Sequence, residues 1–346
     1  MDVVIFFVAL SILVLAHEFG HFITAKMTGV KVEEFGLGLP PRIVGKRLWG
    51  TIFSLNWLPI GGFCKLYGEE GSGKGKNAFN NKNPWQKLLV VLGGVLMNLV
   101  VAVIIFSIVY TILGIPLETK KVKIIDVTKS SPAEKAGLKK DDWIIKVGNK
   151  EVTKSDQLIE EVAKYSGKTV DLLINENQIV VVEVRANPPE GEGKMGVAVS
   201  NMEMQKVRWY EFYKGIGYGF KEAYYWGKII GEGVAKIIGQ LFMGKIPKDV
   251  SGPIGMYEAT SAIKRNQGML AVIHFFGVVS VNLAIVNVIP FPALDGGRII
   301  FVAYELIRRK KAKPELEAKI NNFGMMALLG LILLITIGDV IRLIAR

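Results

Sequence analysis

The most reactive grouping in this 346-residue chain is His17-Glu18-Phe19-Gly20-His21, an H-E-x-x-H run. Residues four apart share a helix face, so both imidazoles can hold one metal ion while Glu18 lies beside it. The run sits inside an apolar segment from about residue 3 to residue 24. A segment of that length is a candidate membrane span, where a carboxylate and two imidazoles cost several kcal/mol unless paired or metal-bound. Such a set offers metal-assisted hydrolysis within a membrane.

Composition agrees. The chain is 50% hydrophobic and 21% charged, with a mean hydropathy of +0.34. That is too apolar for an ordinary soluble protein and too charged for one buried in lipid throughout. Segments 1–25, 85–114, 268–291 and 323–342 are each near the roughly 20 residues needed to cross the hydrocarbon core. The fold class expected is therefore an α-helical membrane protein with four transmembrane helices. The first segment lacks the basic start and small-residue cleavage site of a signal peptide, so it is expected to be retained. The single cysteine, Cys64, excludes an internal disulfide and a thiolate zinc site. The net charge of +12 comes without any nucleic-acid motif, so the expected partner is the lipid bilayer and not nucleic acid.

Basic residues orient the spans. Region 26–84 carries Lys26, Lys31, Arg42, Lys46, Arg47, Lys65, Lys74, Lys76 and Lys82, and region 292–322 carries Arg298 and Arg308-Arg309-Lys310-Lys311-Ala312-Lys313. The positive-inside rule makes both regions cytoplasmic and places the termini and the long stretch 115–268 outside.

A catalytic zinc takes three protein ligands and leaves one position for water. Only one further histidine exists, His274, so the third ligand is either that residue or a carboxylate. Depth separates them. At 1.5 Å per residue His17 lies about 21 Å down its span, whereas His274 lies only about 8 Å down the third. Asp295, just past the third span, is level with the histidine pair and is the better ligand. Asp295-Gly296 also suits a tight turn, and both roles can hold at once. His274 reads as a packing or interface residue. A transporter would spread its ligands along a path, but these candidates share one depth.

Asn282, Asn287, Pro290 and Pro292 interrupt the third span before Asp295. Irregular backbone at membrane depth survives only where it lines protein or a water-filled cavity. The two asparagines could bond neighbouring helices or contact a substrate. Asn98, one turn after Gly94, reads as a packing residue where small side chains let helices approach. Strand patterns at 122–127, 142–147, 170–174 and 179–185, the last two joined by a hairpin at 175–178, mark a small α+β domain. Its helix starts at Ser155 and should turn Leu158, Ile159, Val162 and Ala163 inward. Region 188–267 is a linker followed by aromatic- and lysine-rich helices, expected to lie on the membrane surface. The run Gly71-Ser72-Gly73-Lys74-Gly75-Lys76 lacks P-loop spacing and reads as a flexible linker.

These motifs, His17-Glu18-Phe19-Gly20-His21, Asn282-x4-Asn287-x2-Pro290-x-Pro292-x-x-Asp295-Gly296-Gly297 and the domain between them, together resemble the site-2 protease family of intramembrane zinc metalloproteases. The similar branch is the bacterial regulator-of-sigma-E type with a single PDZ-like domain, here 118–187. The resemblance implies a zinc ion held by His17, His21 and Asp295, with Glu18 as general base. It implies cleavage within the transmembrane segments of single-span membrane proteins, such as anti-sigma factors or signal-peptide remnants, after a first cut outside. It places the protein in the bacterial cytoplasmic (inner) membrane with the PDZ-like domain extracytoplasmic. Pro59–Leu66 looks like the family's membrane-associated β-loop on the cytoplasmic side. Gly61, Gly62 and Phe63 are then substrate-binding candidates by strand addition, alongside Asn282, Asn287, Pro290 and Pro292. Val250-Ser251-Gly252-Pro253-Ile254-Gly255 resembles the motif before the third span. Asp141 and Gly148-Asn149 depart from the usual PDZ pattern, so a steric gate or spacer fits that domain as well as a peptide binder does.

Overall fold

The fold is seen in a computed structural model that describes residues 2–69, 73–175, 177–189, 191–243 and 252–344. The apolar N-terminal run forms α1 (Asp2–Met27), followed by β1 (Val32–Leu48), β2 (Thr51–Leu66) and α2 (Pro84–Leu113). Next come β3 (Ile115–Val127), α3 (Pro132–Lys135), β4 (Trp143–Val147), β5 (Lys150–Glu151), α4 (Ser155–Ala163), β6 (Thr169–Ile174), β7 (Gln178–Glu183) and β8 (Val197–Gln205). The chain continues as α5 (Phe212–Phe242), α6 (Pro253–Gln267), α7 (Met269–Val288), α8 (Asp295–Arg308) and α9 (Pro314–Ile344). Helices α1, α2, α7 and α9 are long and apolar enough to cross a membrane, matching the four segments read from sequence. Two compact units result, one of residues 1–110 with 215–346 and one of residues 111–214.

The second unit is an antiparallel sheet in the order β7-β6-β4-β3-β8, with β5 paired to β4. Alternating residues Val122, Ile124, Ile144, Leu172 and Val182 meet Leu158 and Val162 of α4 in its core. Ile159 is 61% exposed, so the helix turns a narrower face inward than its sequence suggests. The sheet also reaches past residue 187: β8 pairs with β3 and adds an edge strand in what the sequence reads as linker. Of the hairpin 175–178, Glu176 lies outside the described residues, as do Gly71 and Ser72 of the glycine-rich linker and Val250 and Ser251 of the motif before α6.

In the first unit, β1 and β2 are each bent, and residues Glu34–Leu37 pair on both sides, with Ile52–Leu55 and with Gly62–Lys65. The result is a four-segment sheet in the order 62–66, 32–39, 51–58, 42–48, which leaves 62–66 as an edge. Phe35 and Phe53 pack edge-on against Phe22 of α1 and hold the sheet there.

Helix α5 differs from the surface-lying helix read from sequence. Ala223, Trp226 and Ile230 pack lengthwise on Ala102 and Phe106 of α2 and Val278, Val281 and Ile285 of α7. Its lysines and glutamates recur often, but Lys221, Lys228 and Glu232 fall on the opposite, exposed face. The exception is Glu222, which accepts hydrogen bonds from Trp226 Nε1 (3.0 Å) and His274 Nε2 (3.2 Å). Region 292–322 is likewise more ordered than the loop expected from its charge, because it contains α8 and the first turns of α9.

Helix α6 begins at Pro253 after an N-cap, Gly252, that has no side chain to satisfy the first amides. Asp339 of α9 does so instead: its Oδ2 accepts from Gly252 N (2.9 Å) and Gly255 N (3.0 Å). Asp339→Ala should lower unfolding stability in detergent by about 1–3 kcal/mol, the cost of stranding buried donors. Asp339→Asn, which keeps an acceptor oxygen, should lose less in the same chemical denaturation measurement.

Candidate metal centre

His17 and His21 face α2, where Gly94 leaves room for both rings: a Cβ there would lie 2.5 Å from His21 Nε2 and 2.7 Å from His17 Nε2. The third group arrives from the other end of the fold. Helix α7 stops at Val288, Pro290-Phe291-Pro292 turns the chain, and Asp295 becomes the first residue of α8. Gly296 permits this fold-back, since a Cβ at that position would stand 2.0 Å from the Ile289 carbonyl oxygen.

Asp295 Oδ2 then lies 3.0 Å from His17 Nε2 and 3.3 Å from His21 Nε2, and the two Nε2 atoms are 3.2 Å apart. The surroundings fix what these atoms carry. His21 Nδ1 lies 2.8 Å from the Val90 carbonyl, which can only accept, so Nδ1 bears the proton and Nε2 presents a lone pair. Asn98 contacts His17 Nδ1 at 3.2 Å through its amide nitrogen, while its Oδ1 is buried and unpaired. Amide oxygen and nitrogen are interchangeable in shape, and turning the group over lets Oδ1 accept from His17 Nδ1–H. Both histidines then aim lone pairs at Asp295 Oδ2, which is itself buried without a donor. The separations match the roughly 3.3 Å edge of a tetrahedron with metal–ligand bonds of about 2.05 Å. The donor set fits zinc, and Asn98 and Val90 supply the outer contacts that orient the two imidazoles.

A cavity of about 550 Å³ opens beside these atoms and is lined by Glu18 as well as by the three donors. Glu18 faces Phe63, Cys64 and Leu66 of the edge segment 62–66 across this cavity. Burial, together with the Glu18 and Glu69 carboxylates, pushes the Cys64 thiol far above its ordinary range.

Among the sequence candidates for substrate contact, Phe63 lines the cavity. Gly62 packs against Leu15 and Glu18, and Gly61 makes the turn into the edge strand with φ +77°. Pro290 and Pro292 shape the bend that sets Asp295, while Asn282 and Asn287 are not among the cavity's lining residues. His274 is held by Glu222 and does not join the three donors. Sequence reasoning took Asn98 for a packing residue and Arg298 for an orienting charge, and it passed over Asn321; the last two line the cavity. The available signal for the two amides was a nearby glycine, Gly94 before Asn98 and Gly324 after Asn321. Gly94→Ala should reduce bound zinc about tenfold or more by placing a methyl against both Nε2 atoms. Metal analysis of the purified, folded variant tests this.

The chain was compared with known proteins. Residues 5–331 match the model of peptidase family M50. A Clostridium acetobutylicum protein, provisionally named a zinc metalloprotease, is 32% identical over 98% of this chain and 97% of its own length. A similarly named Clostridium perfringens protein is 31% identical over 99% of both, and one from Campylobacter jejuni 29% identical over 97% and 92%. With the family match covering most of its length, the chain belongs to peptidase family M50, the site-2 proteases, and is a multi-pass membrane zinc metalloprotease.

Proposed function

We propose that this protease hydrolyses peptide bonds inside the transmembrane segments of single-span membrane proteins, with His17, His21 and Asp295 as zinc ligands and Glu18 as general base. The observation that carries the reading is that Glu18, the three donors and a β-strand edge share one cavity between candidate spans. Zinc, when bound, supplies a Lewis acid that polarises the scissile carbonyl and lowers the pKa of a water towards about 7. Glu18 takes that water's proton as the oxygen attacks the carbonyl carbon, then delivers it to the departing amide nitrogen as the C–N bond breaks.

A helical substrate keeps its amides paired internally and must unwind before attack. The 62–66 edge offers replacement partners by strand addition, with Gly61, Gly62 and Phe63 beside the path. The sheet's apolar end, with Ile43 57%, Trp57 69% and Leu58 53% exposed, supports a membrane-associated β-loop. Unit 111–214 is then the PDZ-like domain, outside the bacterial cytoplasmic membrane. The protease acts on substrates already shortened there by a first protease, among them anti-sigma factors or signal-peptide remnants.

Glu18→Gln should keep zinc and lose about 10²-fold or more in turnover of a labelled single-span substrate, because an amide cannot take the proton. Asp295→Asn should lose zinc. Near-normal cleavage by Glu18→Gln would remove the mechanism. Topology has its own test in the lone thiol. Cys64 should react slowly, owing to its raised pKa, and only with reagents that reach the cytoplasmic face; labelling in intact cells by an impermeant reagent added outside would invert the proposed orientation.

A further inference from the structure

We infer that Asn321, near the start of α9, is a substrate-contact residue whose amide receives the unwound main chain of the substrate beside the metal centre. The inference rests on the hydrolytic reading of that centre.

Asn321 lines the same cavity as Glu18 and the three donors. Its Oδ1 is buried and has no hydrogen-bond partner. Unpaired buried carbonyl groups are uncommon in folded proteins and call for a specific explanation, such as a ligand that completes them. Asn321 is also directed into the cavity by the way α9 packs. Gly324, three residues on and on the same helix face, sits so close to the Pro292 bend that a Cβ would lie 2.3 Å from Pro292 Cβ and 2.6 Å from its carbonyl oxygen. The helix therefore rests on the segment that sets Asp295, and its Asn321 face turns towards the site.

The opposite supports of the cavity are fixed by ions. Arg298, one turn after Asp295 on α8, pairs with Glu69, whose other oxygen accepts from Leu66 N (3.1 Å) at the end of the edge strand. That pair ties the strand to the helix carrying the metal ligand, and its charges are already matched. Asn321 is different, because a neutral amide offers both a donor and an acceptor and has an unused one. An extended peptide leaving its helix presents N–H and C=O groups in alternation, and an amide side chain can pair with either. The ligand class is thus unwound peptide main chain, recognised without regard to its side chains.

The test uses full-length, zinc-loaded protein in detergent and two zinc-directed probes, acetohydroxamate and a hydroxamate carrying a short apolar peptide. Asn321→Ala should weaken the peptidyl probe about 3- to 10-fold, the range of one hydrogen bond, and leave acetohydroxamate unchanged. Asn321→Leu, apolar and near in volume, should do the same. Unchanged affinity for the peptidyl probe in both variants overturns the inference. So does equal weakening of both probes, which would mark a disturbed metal centre. Wild-type protein that binds neither probe refutes the zinc centre itself, and the inference with it.

Discussion

Three lone pairs aimed at one point, 3.0–3.3 Å apart and away from water, repel each other until a cation sits among them. The membrane part of the fold is arranged around that requirement. Val90 and Asn98 hold one proton of each imidazole on the far side of the ring, which leaves the Nε2 lone pair of the neutral ring facing Asp295. Gly94 removes the side chain that would fill the position, and Gly296 allows α8 to fold back far enough to deliver Asp295. Zinc affinity and folding are therefore coupled: the same contacts that orient the ligands join α1, α2 and α8.

Next to this centre the cavity offers main-chain and amide partners. The segment 62–66 has an unpaired side, and Asn321 keeps an open carbonyl. None of these groups distinguishes one apolar side chain from another. On the proposed intramembrane reading, such a site would discriminate by the cost of opening a helix, which is lowest for segments weakened by glycine, proline or β-branched residues.

The sequence made the three candidate metal ligands legible because their geometry is local or set by depth. The spacing of His17 and His21 on one helix is enough for two of them, and counting residues down two spans places Asp295 level with the pair. The four spans follow from apolar length alone. Asn98, Arg298 and Asn321 were not legible as site residues, because their roles exist only once α2, α8 and α9 are packed together. Helix α5 was misplaced for a related reason: counting its charges hides that nearly all lie on one face, with Glu222 the exception that His274 and Trp226 neutralise. Strand β8 escaped because it lies beyond the Pro188-Pro189 break, where the sequence reads as a linker, and its pairing with β3 is a long-range contact.

The cap on α6 has a consequence for how the protein is made. Gly252 and Gly255 find their acceptor in Asp339, 87 and 84 residues further along the chain. At synthesis rates of about 5–20 residues per second, the start of α6 waits roughly 4–17 s before its partner exists. During that interval α7 can enter the membrane, but the helix leading into it has an unsatisfied end. Assembly therefore finishes from the last span backwards, and the protease reaches its native arrangement only after the ribosome has passed the codon for Asp339. A chain stalled before that point would present a partly built site to the machinery that inserts and clears membrane proteins.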